Sequence, residues 1–90
     1  MTNEQRRLEG KQKQTALRKL ERQEANALLC LEELEKEKTR LEAELARPDV
    51  YSNGERAREV KLKLDECAAA IEVKTREWEA IASEAEKYES

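Results

Sequence analysis

The 90-residue chain has no histidine and no phenylalanine, two isolated glycines, a single proline, and aromatics at only 3 % of its residues. Without histidine, neither a His-based nucleophile relay nor a usual zinc site can be assembled. The glycines, Gly10 and Gly54, stand alone, so no Gly-rich loop is available to cradle a phosphate. No run approaches the ~20 apolar residues that a membrane span requires, and no charged-then-apolar signal segment opens the chain. These absences predict a cytoplasmic protein that carries no catalytic group and holds no cofactor. Bulky apolar residues are too few for a rounded core.

What is abundant is charge, at 43 % of residues, in a background of Ala, Glu, Lys, Leu and Arg. That composition with regular apolar spacing indicates a coiled coil or long helix. The net charge of -3 conceals an asymmetry. Between Met1 and Arg22 seven bases (Arg6, Arg7, Lys11, Lys13, Arg18, Lys19, Arg22) face three acids (Glu4, Glu9, Glu21), whereas acids dominate everything that follows. If the chain contacts a polyanion, those seven side chains are the candidate nucleic-acid-binding residues. They would neutralise backbone phosphates and give salt-sensitive, largely sequence-independent affinity. No aromatic is interleaved with them, which disfavours recognition by base stacking. The alternative is a solvated helix start.

Residues 1–12 are polar, include Gly10 and lack apolar periodicity, so they are expected to form a flexible linker. From 13 to 46 apolar residues recur at steps of three and four. With Leu17 at heptad position a, the a positions are Leu17, Glu24, Leu31, Lys38 and Leu45, and the d positions are Leu20, Ala27, Leu34 and Leu41. The spacing predicts a helix about 50 Å long. Leu28 and Cys30 are expected to widen its apolar stripe. Pro48 then interrupts the pattern, because its ring cannot continue a helix and pushes Arg47 out of the helical region. After a turn at 47–53, a second helix is predicted over 54–88. Ser52 with Glu55 has the form of a capping box at its start. Its a positions are Ala57, Leu64, Ile71, Trp78 and Ala85, and its d positions Val60, Cys67, Lys74, Ile81 and Tyr88. Trp78 and Tyr88 therefore read as packing residues. Ala68, Ala69 and Ala70 would permit close approach of the two helices.

A connection this short favours antiparallel neighbours. The fold class expected is all-α, an antiparallel two-helix coiled-coil hairpin over 13–88. In that register Glu44 meets Arg56, Glu37 meets Lys63 and Glu42 meets Lys61, all with opposite sign, and Glu24 has Lys74 in the same half of the hairpin. Such exposed pairs check topology more than they stabilise it. Cys30 and Cys67 sit inside helical pattern without further soft ligands, and read as free buried thiols.

The run Leu41-Glu42-Ala43-Glu44-Leu45-Ala46-Arg47-Pro48-Asp49-Val50-Tyr51-Ser52, followed by Arg76-Glu77-Trp78-Glu79-Ala80-Ile81, resembles the C-terminal coiled-coil domain of ABC-F ATPases. Members of that family join two ATP-binding cassettes in one polypeptide without membrane spans, and many carry a helical hairpin after the second cassette. The likeness spans about residues 15–87. Asn53-Gly54 departs from the acidic-proline start common in the family's second helix, and the chain is net acidic. The resemblance implies a domain of a larger ATPase whose ATP and Mg are bound elsewhere. Family members act mostly on ribosomes, and the hairpin of one branch is reported to bind DNA.

Two functions follow as expectations. One is an accessory binding module that contacts DNA, ribosomal RNA or the ribosome, or docks on its own ATPase cassettes, as a monomer. The other is a structural spacer, oligomerisation or regulatory element with no nucleic-acid affinity. Pairing of heptads between chains would open the hairpin into a longer dimer; the short loop and matched charges argue against it. Shape alone would also suit an RNA-gripping arm like those of some aminoacyl-tRNA synthetases.

Overall fold

A computed structural model describes residues 2–89. The protein is all-α, with helix α1 over Asn3–Leu45, a single-turn helix α2 over Pro48–Tyr51 and helix α3 over Gly54–Glu89. It forms a rod of 73 × 16 × 14 Å.

Helix α1 starts ten residues earlier than the sequence pattern predicts, so the expected flexible segment is helical from Asn3 onward. The reason is local. Thr2 Oγ1 accepts from the Gln5 amide at 3.2 Å while Gln5 Oε1 accepts from the Thr2 amide at 2.8 Å, a capping box that satisfies orphan donors at the helix start. Glu4 lies in the first turn, where the helix dipole favours an acid. Gln, Arg, Lys, Leu and Glu are good helix formers, and Gly10 is the single weak position before Lys11. Every residue from Thr2 to Thr15 is exposed, so this extension owes nothing to core burial.

The turn is ordered by Pro48. Arg47 is extended (φ -72°, ψ 132°), as expected before a proline, and Pro48 takes the first helical position of α2. Val50 is thereby turned inward and is fully buried. The Arg47 guanidinium grips the Asp49 carboxylate through Nε at 3.2 Å and Nη2 at 3.0 Å, and Arg56 Nη1 lies 3.6 Å from the same carboxylate. Cross-linking of this kind was not apparent from the sequence.

The cap of α3 differs from expectation. The Ser52 hydroxyl donates backward to the Pro48 carbonyl, and Asn53 caps instead: its Oδ1 accepts from the Arg56 amide at 3.3 Å, and its carbonyl accepts from the Ala57 amide at 2.8 Å. The one-turn helix takes Ser52 as its C-cap, so the cap of α3 falls one residue later, on Asn53, while the helix itself begins at Gly54 as the pattern predicts. Asn53→Ala is expected to cost about 1 kcal/mol in urea unfolding, and Ser52→Ala clearly less.

Helices α1 and α3 pack on each other along their lengths. Cys67 Sγ donates to the Leu34 carbonyl at 3.2 Å, Lys74 and Ile81 share a groove with Gln23 and Ala27, and Tyr88 shares one with Lys13 and Ala16. Every a and d residue of α1 from Leu17 to Leu45 is buried or half-buried, including the polar Glu24 and Lys38. The same holds for α3 from Ala57 to Ala85, while Tyr88 is 40 % exposed. Cys30 joins the half-buried stripe, but Leu28 is 42 % exposed and does not. Of the three consecutive alanines only Ala70 faces the seam.

The seam is not uniform. Leu41, Val50, Val60 and Cys67 form a buried cluster with Leu34, Leu45, Leu64 and Ile71 packed against it. Toward the other end Ala27 and Ala85 are the only buried residues among those described. The rod is therefore tightest at the turn, and local opening is expected to be easiest where the basic segment lies.

Candidate nucleic-acid interface

All seven candidate bases lie on α1, and each is exposed. Arg7, Lys11, Arg18 and Arg22 are separated by four, seven and four residues, which keeps them on one lateral face of a helix. Arg6 and Lys13, seven apart, extend the d line beyond the last apolar seam residue, and Lys13 adjoins Tyr88. Lys19 points between these two directions. The helix thus places four of the seven together and leaves three apart.

Their pairing state separates them from most other bases of the chain. Lys36, Lys38, Arg40, Arg47, Arg56, Lys74, Arg76 and Lys87 each carry an ion pair. Among the described residues none of the seven candidates does. A base already paired to a carboxylate must give that pair up to meet a phosphate; an unpaired base gives up only water.

The cross-helix pairs expected from the sequence do not form. Glu37 instead accepts from Arg40 at 2.6 and 3.0 Å, Glu44 also pairs with Arg40, Glu42 with Lys38 and Arg56 with Asp49. A partner three or four residues away on the same helix is reached without crossing the seam. The bond from Arg40 holds the Glu37 carboxyl below its usual range, and the Lys63 charge lowers it further, the remaining trace of the expected contact across the seam. Lys74 likewise turns to Glu77 at 2.7 Å and not to Glu24, and that bond raises its pKa.

Elsewhere the surface offers shallow grooves. One lies between Gln23, Asn26 and Ala27 on α1 and Lys74, Glu77 and Ile81 on α3. Cys30 is half-buried, Cys67 is buried, and both thiols are free. Among the described residues no group of three or more Cys, Asp or Glu gathers as metal ligands would, and no helix is long and apolar enough to cross a membrane.

A family model described as ABC transporter C-terminal domain matches residues 2–83. The chain belongs to that family. No curated protein and no solved structure matches it. As an ABC transporter C-terminal domain it is an accessory region of an ABC protein and not a catalytic cassette. The match takes in the whole basic segment, the turn and Trp78, and stops short of Tyr88.

Proposed function

We propose that this ABC transporter C-terminal domain is the antiparallel coiled-coil hairpin of an ABC-F type ATPase, and that it contacts nucleic acid, as DNA or ribosomal RNA, through the basic end of α1. The observation that carries this reading is the set of seven exposed bases on one helix, none ion-paired among the described residues, in a chain whose other bases mostly hold ion pairs. Phosphate neutralisation by such residues needs no pocket and no catalytic group. The cassettes of the parent protein would supply energy from ATP with Mg, in the cytoplasm, while the hairpin supplies a contact. The reversed order of contacts along α1 and α3 supports a hairpin folded within one chain.

Reversing charge at Arg18, Lys19 and Arg22 together is expected to weaken binding to all nucleic-acid sequences alike by at least about tenfold at physiological salt. Anisotropy titrations against several sequences check this. Loss confined to one sequence would refute a backbone contact. The extended 73 Å rod favours a second reading, a spacer between the cassettes and a partner, which predicts no affinity even at low salt.

A further inference from the structure

We propose that Arg7 with Lys11, and Arg18 with Arg22, grip the two phosphate rims of the major groove of duplex DNA, with α1 lying across the groove. This rests on the nucleic-acid reading above and specifies its geometry. The four bases share one lateral face of α1, all are exposed, and none is ion-paired among the described residues. At 1.5 Å per residue each pair spans about 6 Å, and the inner bases, Lys11 and Arg18, stand about 10.5 Å apart along the axis. That gap is close to the ~12 Å width of the B-DNA major groove and well above the ~6 Å of its minor groove.

The gap carries no charge. On the same face it holds Gln14 and Thr15, and the Thr15 hydroxyl is already committed to the Lys11 carbonyl at 2.9 Å. Gln14 is exposed and lies over the groove, where its amide has the donor and acceptor needed for a base edge. Two basic pairs flanking a neutral, hydrogen-bonding step suit two charged rims with a groove between them. A single strand offers one rim. The major groove of an RNA duplex is too deep and narrow for side chains to read. The acids on this side of α1, Glu4 beyond Arg7 and Glu21 beside Arg22, lie outside the gap.

The test is a series of anisotropy titrations of the 90-residue chain with a DNA duplex, its single strand and the matching RNA duplex between 50 and 200 mM salt. Four phosphate contacts predict about a 150-fold loss of duplex affinity over that range. Arg7→Gln with Lys11→Gln, and Arg18→Gln with Arg22→Gln, should each remove about half of the logarithmic salt slope. Arg6→Gln with Lys13→Gln, off this face, should remove much less. Equal affinity for single strand or RNA duplex, or equal loss from the Arg6 and Lys13 variant, would overturn the groove-bridging geometry while leaving nucleic-acid binding in place. No binding to any of the three at 50 mM salt would overturn both.

Discussion

Leu41→Ala is expected to destabilise the chain by about 3 kcal/mol, one of the two largest effects of any single truncation. Leu41 is 1 % exposed and sits in the cluster with Val50, Val60 and Cys67. The surroundings cannot easily collapse into the vacated space. Val50 is held inward by the proline-started turn, and the turn itself is tied by Arg47 and Arg56 to Asp49. A leucine-to-alanine change therefore loses both the transfer free energy of the side chain and the contacts around a persistent cavity. For a chain of this size the loss corresponds to a fall in Tm of more than about 10 °C. Leu29→Ala, on the exposed face, serves as the reference and should leave Tm nearly unchanged. A similar small effect at both positions would mean that the turn end is not the packed end of the rod.

Trp78→Ala should cost a comparable amount, again about 3 kcal/mol, although the residue is only half-buried. Trp78 holds an a position of the α3 seam between Lys74 and Ile81, two residues that share a groove with Ala27, and Ala27 is 6 % exposed despite its small size. The indole Nε1 is buried and has no hydrogen-bond partner, so the tryptophan contributes packing and its N–H contributes nothing favourable. Trp78→Phe should accordingly cost less than about 1.5 kcal/mol, the range of volume-preserving apolar exchanges. Calorimetry on both variants checks the pair. A Phe variant as damaged as the Ala variant would show that the indole N–H is engaged after all.

The heptad seam was legible because burial follows the three-four spacing at each a and d residue up to Ala85, and even Glu24, Lys38 and Lys74 kept their places on it. Apolar periodicity could not reveal the start of α1, since residues 3–15 bury nothing. The signal there was Thr2 with Gln5, a capping pattern that stands before no apolar run. Ser52 with Glu55 carried the same pattern and misled, because the one-turn helix after Pro48 claimed Ser52 as its end. Glu44, Glu42 and Arg56 were read by register alone, and each found a nearer partner.

The candidate interface was legible as composition, since seven bases crowd the first 22 residues. Its arrangement was not, because a flexible linker has no faces. Once residues 3–22 form one continuous helix, Arg7, Lys11, Arg18 and Arg22 become neighbours in line while Arg6 and Lys13 turn away. The rest of the chain is acidic and most of its bases are ion-paired, which gives little reason to attract phosphate. Packing points the same way: the buried cluster lies at the turn end, and toward the basic end the larger seam residues are only half-buried.

The most direct test of the account is to follow backbone amide NMR shifts of the isotope-labelled 90-residue chain as a DNA duplex or a ribosomal RNA fragment is added. Shifts are expected to concentrate at residues 6–22 of α1, with residues 47–53 of the turn unchanged. Shifts centred on the turn, or none along α1 at low salt, would contradict it.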